Sequence, residues 1–300
     1  MGSKRSRRVK ESFSDRIFLL LIYAFLGVFC FTTVYPFWHV MMYSFSNSKA
    51  AMSGGLFFRP RNFDLLAYKM IFRTSQIFVA YRNTILRTLV GTSLSMVLSV
   101  LTAYPLSKKR LRGRSWISML VFFTMLFNGG MIPTYLIVQA YGLIDTFWAL
   151  VLPLAMNAYN MFILRNYFKT IPDSLEESAF IDGADSFTIL WKIIIPVSTP
   201  ALAAVTMFYG VNNWNAYLDG ILYINSTSLE ILQVYLRKLL ASTGTLNSLS
   251  GITGLAEAAS LSEESMKMAT IAVSIFPVLV VYPFIQRYYT SGITAGAVKE

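Results

Sequence analysis

The chain contains 300 residues, of which 55% are hydrophobic and only 14% are charged. Because a soluble domain usually carries about 25% charged residues, this composition excludes an ordinary soluble domain and indicates a membrane protein. The single cysteine, Cys30, excludes an intrachain disulfide and a CxxC metal or redox site.

The chain begins with a basic segment, residues 1–16, that contains six lysine and arginine residues. Several apolar segments follow, each long enough to cross a hydrocarbon core of about 30 Å. They comprise residues 17–40, 83–106, 116–139, 145–166, 199–223 and 266–288. We therefore predict an all-α polytopic membrane protein with six transmembrane helices, whose two termini lie on the same side of the membrane.

The distribution of positive charge predicts the orientation of the chain. With the N-terminus in the cytoplasm, the cytoplasmic segments contain sixteen lysine and arginine residues and the outer loops contain nine. Cytoplasmic loops are enriched in these residues, so both termini, including the tail 289–300, are predicted to be cytoplasmic. The same rule explains the net charge of +11 better than nucleic-acid binding does, since no soluble basic face accompanies it. The membrane domain at 17–288 then has a cytoplasmic loop at 169–198 and an outer loop at 224–265.

Two segments of the predicted outer loops have apolar residues at helical spacing. Residues 62–72 are amphipathic and are predicted to lie on the outer surface of the membrane. Residues 229–240 are predicted to form a helix.

The sequence lacks the motifs of the common enzyme classes. It contains no G-x-x-x-x-G-K-[ST] phosphate-binding loop, so the chain is not expected to bind ATP itself. The only histidine, His39, lies at the outer end of the first predicted span and is interpreted as an interface or packing residue, because a lone histidine lacks partners for a metal. We therefore predict a protein that is not an enzyme and holds neither a cofactor nor a metal.

The predicted spans carry uncharged polar side chains near their midpoints, where exposure to lipid is costly. These residues are Asn128, Asn157, Asn160, Asn212, Asn213 and Asn215. On a continuous fifth helix, Asn212, Asn215 and Asp219 would share one face, flanked by Trp214 and Tyr217. Amides beside aromatic rings suit a sugar, so all of these residues except Asn128 are predicted substrate contacts. The alternative is that the amides join neighbouring helices through hydrogen bonds.

The predicted cytoplasmic loop has the signals of two short helices. Ser174 and Glu177 have the S-x-x-E spacing of a capping box, which indicates a helix start. Gly183 is predicted to end this helix in the left-handed conformation. A second helix, residues 186–195, is predicted to stop at Pro196.

The same loop resembles the EAA loop of ABC importer permeases, usually written EAA---G---------I-LP. The matching residues are Glu177-Ser178-Ala179, Gly183 and Ile193-Ile194-Ile195-Pro196, and the spacing agrees throughout. Ser178 and Ile195 are the two departures from the pattern, and both are small changes. Further segments are similar to the carbohydrate-uptake branch of these permeases, in particular the maltose-importer type: 164–172, 176–184, Trp214-Asn215 and 292–299.

The resemblance implies the type I ABC importer permease fold, in a multi-pass protein of a prokaryotic plasma (inner) membrane. It also implies a second homologous permease subunit, a cytoplasmic ATPase dimer that binds ATP and Mg, and an extracytoplasmic solute-binding protein that delivers a sugar or oligosaccharide. The residues implied in ATPase coupling are Glu176, Glu177, Ala179, Phe180, Asp182, Gly183 and Ala184. We expect Leu175, Ala179 and Phe180 to enter an ATPase groove, Glu177 to pair with a basic ATPase residue, and the tail 295–300 to approach the ATPases.

Two alternatives remain open at this point. The first is the same kind of permease for another solute, such as a peptide, polyamine or phosphonate; a uronate-containing oligosaccharide could instead use basic residues of the partner subunit. The second is an ion-coupled transporter or channel, which would require buried acids or pore-forming repeats. Two charged residues of the predicted spans, Arg87 and Asp219, are predicted near outer ends, where they could reach the interface.

Overall fold

The computed structural model describes residues 13–241 and 262–297, and its regular elements within these ranges are helices. The α-helices are α1 (Phe13–Ser44), α2 (Ser48–Ala51), α3 (Leu66–Arg73), α4 (Ser75–Ser107), α5 (Arg114–Leu126), α6 (Met131–Ala140), α7 (Ala158–Phe168), α8 (Asp173–Ile181), α9 (Ser186–Val197), α10 (Thr199–Asn215), α11 (Leu218–Tyr223), α12 (Leu232–Ala241) and α13 (Glu263–Ala297). The middle of α9, Leu190–Ile194, is π-helical, and 3-10 turns occupy Phe147–Leu150, Leu152–Leu154 and Thr227–Leu229.

Within the described residues, three helices are long and apolar enough to cross a membrane by themselves: α1, α4 and the Glu264–Val281 part of α13. Three further pairs of helical segments reach that length only together, across a bend. These pairs are α5 with α6 (114°), Phe147–Leu154 with α7 (49°), and α9 with α10 (84°). The helices therefore allow up to six crossings by length and composition, and their placement in a bilayer stays a prediction.

The third, fourth and fifth predicted spans are not the continuous helices that we expected from their apolar composition. The helical structure is interrupted at residues 127–130, 155–157 and 216–217. The Asn128 side chain accepts a hydrogen bond from the backbone N–H two residues later (2.8 Å), and the Asn157 side chain accepts one from the N–H three residues later (3.1 Å). Short amide side chains compete with helical hydrogen bonds in this way, so apolar content alone overestimates the length of a helix.

Contacts divide the described chain into two compact units. The first unit comprises the residues up to Lys69 together with 262–272. Its buried residues Tyr43, Ala51 and Phe57 form a small core. His39 packs against the edge of the Phe57 ring, with 5.3 Å between the ring centroids, and also against Tyr43. This position agrees with the interpretation of His39 as a packing residue.

The second unit comprises residues 70–241 together with 273–297, and α4 is its central helix. α4 contacts α7, α10 and α12. A glycine permits the close approach of α10, since a Cβ atom at Gly91 would lie 2.9 Å from the Oδ1 atom of Asn213. The core between α4, α7 and α10 continues into α8 and α9 through the buried residues Ala179, Ile189 and Leu190. The predicted cytoplasmic loop is therefore packed onto the same core as the long helices.

The helix predicted at 229–240 is confirmed as α12, which begins at Leu232. It starts three residues later than predicted because Thr227–Leu229 forms a 3-10 turn. In the amphipathic segment 62–72, α3 begins at Leu66, with the Asp64 carboxylate accepting a hydrogen bond from its first backbone N–H (2.9 Å). The remainder of the predicted outer loop, residues 242–261, lies outside the described ranges.

Candidate coupling segment and polar cluster

Helix α8, the first helix of the EAA-like loop, begins two residues earlier than the predicted capping box requires. Pro172 occupies the N-cap position and makes no side-chain capping bond. Ser174 consequently lies within the first turn rather than at the cap, and the capping-box prediction is wrong. Proline suits the start of a helix because its backbone angle is already close to helical and it has no N–H to satisfy.

Gly183 ends α8 as the sequence predicts. Its φ angle is +82°, in the left-handed region. The N–H of Gly183 donates to the carbonyl of Phe180 (3.0 Å), and the N–H of Ala184 donates to the carbonyl of Ala179 (2.9 Å). These are the two bonds of a Schellman motif. They turn the chain directly into α9.

Helix α9 begins at a capped end and continues beyond its predicted stop. The Asp185 carboxylate accepts a hydrogen bond from the backbone N–H of Thr188 (3.1 Å), and hydrogen bonds from Thr188 lower the pKa of the Asp185 carboxyl. The prediction that Pro196 ends the helix is wrong, since helical structure extends to Val197. A wider π turn, with the N–H of Ile195 donating to the carbonyl of Leu190, immediately precedes the proline. In an α-helix the proline ring would clash with the backbone carbonyl four residues earlier. The π turn changes which carbonyl lies next to the ring.

One face of α8 is buried against the protein's own core. Glu176 is buried, and its carboxylate forms an ion pair with Lys108 of the basic segment that follows α4. Ala179 belongs to the hydrophobic core. Phe180 is half-buried beneath the guanidinium of Arg110, whose Cζ atom lies 4.5 Å from the ring centroid. The expectation that Ala179 enters an ATPase groove is therefore wrong, because α8 already uses that face internally.

The opposite face of α8 and the exposed side of α9 are available to a partner. Glu177, Asp182 and Gly183 are exposed. The large exposed apolar side chains here include Leu175, Ile181, Phe187 and Trp191, with Ile181 86% exposed. We call the exposed residues Leu175, Glu177, Ile181, Phe187 and Trp191 the coupling face. An acidic side chain within an apolar surface of this kind fits a basic and apolar groove on a partner.

A buried ion pair lies at the break between α10 and α11. The Arg87 side chain, on α4, is completely buried and is paired with the carboxylate of Asp219. It also donates to the carbonyl of Ala216 (3.0 Å), which the break leaves without a helical partner. The prediction that these two charges separately reach the interface is thus wrong. The sequence contained one indication of this pair, namely an arginine and an aspartate of opposite charge in two different predicted spans.

The helix break also divides the predicted substrate contacts. Asn212 and Asn215 are exposed near the end of α10, whereas Asp219 is no longer on that helix, so the predicted common face of these three residues is wrong. Asn213 and Trp214 are buried. The Asn213 amide donates to a carbonyl one turn earlier (3.0 Å) and packs at the close approach to α4.

Tyr209, which no sequence pattern indicated, connects three elements of the second unit. Its buried hydroxyl lies 2.7 Å from the Ser99 hydroxyl of α4, and it accepts a hydrogen bond from the backbone N–H of Asn157 (3.1 Å). The exposed Asn157 caps α7, and Asn160 of α7 is buried. The arrangement favours a structural role for Asn160 and leaves Asn157 accessible.

Comparison with known proteins identifies the chain's family. The sequence model described as "Binding-protein-dependent transport system inner membrane component" matches residues 77–295. The chain belongs to this family. The permease is 45% identical, over 95% of its length and 99% of the relative's, to the polygalacturonan/rhamnogalacturonan transport system permease protein YtcP of Bacillus subtilis (strain 168). It is 27% identical, over 94% of its length and 95% of the relative's, to the arabinooligosaccharides transport system permease protein AraQ of Halalkalibacterium halodurans.

A solved structure shows the same fold. The permease matches a chain of a bacterial ABC transporter involved in the import of the acidic polysaccharide alginate, with a TM-score of 0.86 and 36% sequence identity. The match covers 93% of the permease and 98% of that chain. The permease therefore has the helical fold of an ABC transporter membrane subunit, and the resemblance noted in its sequence is confirmed.

Proposed function

We propose that this permease is the transmembrane subunit of an ATP-driven importer for oligosaccharides that contain uronate units. The observation that carries the proposal is the 45% identity with a relative named for polygalacturonan and rhamnogalacturonan transport. The structural match to a transporter for an acidic polysaccharide supports the same substrate class. A uronate unit offers both hydroxyl groups and a carboxylate, so the permease should supply neutral polar and cationic contacts.

The proposed arrangement in the membrane has six crossings with both termini in the cytoplasm. Three crossings are α1, α4 and α13, two are the bent pairs of α5 with α6 and of Phe147–Leu154 with α7, and the sixth is α10 with α11, while α9 stays in the cytoplasmic loop. The positive charge of the segment after α4 supports its cytoplasmic placement. In this orientation the coupling face points to the cytoplasm, and α12 lies on the outer side. The tail 295–300, of which the last three residues lie outside the described ranges, would lie near the ATPases.

The permease would work with three kinds of partner. They are a second homologous permease subunit, a cytoplasmic ATPase dimer that binds ATP and Mg, and an extracytoplasmic binding protein that delivers the oligosaccharide. The name of the family, which specifies dependence on a binding protein, supports the last of these. ATP hydrolysis would reside in the partner chains, since this sequence has no phosphate-binding loop.

The coupling face would transmit the movement of the ATPases. Its apolar side chains would enter a groove of an ATPase subunit, and burial of each large apolar side chain contributes about 1.5–3 kcal/mol. The Glu177 carboxylate would pair with a basic residue of the groove. Because Ala179, Ile189 and Leu190 belong to the core that α4, α7 and α10 share, a displacement of α8 and α9 would tilt these longer helices. That tilt would expose the substrate site alternately to the two sides of the membrane.

The residues proposed to contact the oligosaccharide are the accessible members of the predicted set. Asn212, Asn215 and Tyr217 are exposed near the break after α10, and Asn157 is exposed at the start of α7. The amides can bind sugar hydroxyl groups, and the Tyr217 ring can pack against the apolar face of a sugar. The buried members, Asn160, Asn213, Trp214 and Asp219, would support these residues rather than contact the substrate.

Replacing Asn215 with alanine should reduce uptake efficiency about fivefold, because one hydrogen bond to the substrate contributes about 1 kcal/mol. Basal ATPase activity should persist, since Asn215 is exposed and distant in sequence from the coupling face. The measurement is uptake of labelled oligogalacturonate by the complex in proteoliposomes. Thr206→Ala, at another exposed position of α10, is the matched control and should retain wild-type uptake. Equal kinetic constants for Asn215→Ala and the wild type would refute the assignment of this residue.

A further inference from the structure

An arginine and a tyrosine form a stacked pair beside the break after α10. The Cζ atom of Arg237, on α12, lies 4.7 Å from the centroid of the Tyr217 ring. Tyr217 is 39% exposed and follows Asn215 by two residues, so their Cα atoms are at most about 7 Å apart. One oligosaccharide could therefore contact the Asn215 amide, the Tyr217 ring and the Arg237 guanidinium together.

The position of Arg237 is held by the packing of its helix. The side chains of Val234 and Leu236 in α12 are both buried, and the N–H of Leu232 donates to the Thr84 hydroxyl of α4 (2.8 Å). The Asn83 amide of α4 donates to the carbonyl of Glu230, two residues before α12 begins, at 2.9 Å. Arg237 lies on the exposed face of this anchored helix. Its guanidinium is thus presented from a fixed backbone, which reduces the ordering needed for binding.

The positive charge of Arg237 is not neutralised by a carboxylate of the described residues. The neighbouring Lys238 differs, because its ammonium forms an ion pair with Glu230 at 2.5 Å. A guanidinium that stacks on an aromatic ring keeps the N–H groups at its edge free to bind a carboxylate in two-point fashion. The stacked pair therefore offers an apolar ring face and a carboxylate-binding edge side by side.

We infer that Arg237, stacked on Tyr217, binds the carboxylate of a uronate unit and sets the permease's preference for acidic over neutral oligosaccharides. The inference rests on the proposed function, in which the permease imports uronate oligosaccharides past the outer side of α10. It assigns the cationic contact to this chain rather than to basic residues of the partner subunit.

The test compares uptake of an oligogalacturonate with uptake of its fully methyl-esterified, uncharged form. Both are measured in proteoliposomes that contain the complete complex and the same binding protein, so any selectivity of the binding protein is common to all variants. Arg237→Gln should reduce the acid-to-ester uptake ratio about tenfold or more relative to the wild type, the loss expected for one charge-assisted hydrogen bond. Arg237→Lys should retain part of the preference, because it keeps the charge but not the two-point geometry.

Lys238→Gln is the matched control, since glutamine can still donate to Glu230, and its ratio should equal that of the wild type. Thermal unfolding and basal ATPase activity of each complex establish that the variants are folded. A wild-type ratio in Arg237→Gln, with import of oligogalacturonate intact, would overturn the inference and leave the proposed function standing. If the wild-type complex imports neither compound, the proposed function and the inference fail together.

Discussion

Arg87→Ala should destabilise the permease by about 3–5 kcal/mol, the usual effect of removing one partner of a buried ion pair. The variant leaves the Asp219 carboxylate buried without its counter-ion and removes the donor to the carbonyl of Ala216. Both losses occur at the break between α10 and α11, beside the proposed substrate contacts. The measurement is thermal unfolding of the purified complex in lipid nanodiscs, where a markedly lower midpoint and poor assembly are expected.

The double variant Arg87→Met/Asp219→Leu distinguishes two effects on stability: the loss of the ion pair itself and the burial of the Asp219 charge without its counter-ion. Apolar residues of similar size often replace a buried ion pair at little cost, so the double variant should recover most of the stability that Arg87→Ala loses. Recovery should be incomplete because the carbonyl of Ala216 still lacks its donor. Arg82→Ala, at an exposed position of the same helix, is the control and should change stability by at most about 0.5 kcal/mol. An Arg87→Ala complex as stable as the wild type would contradict this account of the break.

Glu177→Lys should lower uptake by more than about tenfold, because a like charge facing a basic groove costs several kcal/mol. The stability of the permease itself should change little, since Glu177 is exposed and α8 does not depend on it for a capping bond. The expected signature is an ATPase activity that no longer responds to the substrate-loaded binding protein. Uptake and stimulated ATPase activity are measured in the same reconstituted complex.

Asp173→Lys is the matched control for this charge reversal. It introduces the same change at an exposed position of α8, one helical turn before Glu177, and lies outside the residues implied in coupling. Most of the uptake should survive in this variant. Wild-type coupling in Glu177→Lys would show that the helix–turn–helix geometry of the loop, rather than this carboxylate, connects the permease to the ATPases.

The features of this protein that follow from local sequence were predictable. Gly183 ends α8 because glycine accepts the left-handed conformation without strain, and that requirement is visible in the sequence. The apolar segments also indicated a membrane protein correctly, since composition alone distinguishes them from soluble helices. The EAA-like spacing then indicated the family, which the match over residues 77–295 confirms.

The features that depend on contacts distant in sequence were not predictable. The pairing of Arg87 with Asp219 depends on α4 and the break after α10 lying together, and helical periodicity carries no information about that neighbour. Tyr209 reaches both Ser99 and Asn157 for the same reason. The inward direction of Ala179 also depends on tertiary packing, because periodicity identifies a face of α8 but not the partner that covers it. Only the packed structure shows which residues of α8 and α9 stay exposed and form the coupling face.

Uptake of labelled oligogalacturonate into proteoliposomes shows whether this permease admits uronate oligosaccharides in an ATP-driven complex. The vesicles contain this chain, its partner permease and the ATPases, with ATP enclosed on the ATPase side and the binding protein added on the other. We expect the labelled sugar to accumulate in the vesicles, and this accumulation should stop when either ATP or the binding protein is omitted. Accumulation that continues without ATP under an ion gradient, or its absence in a complex that hydrolyses ATP in response to the loaded binding protein, would contradict this expectation.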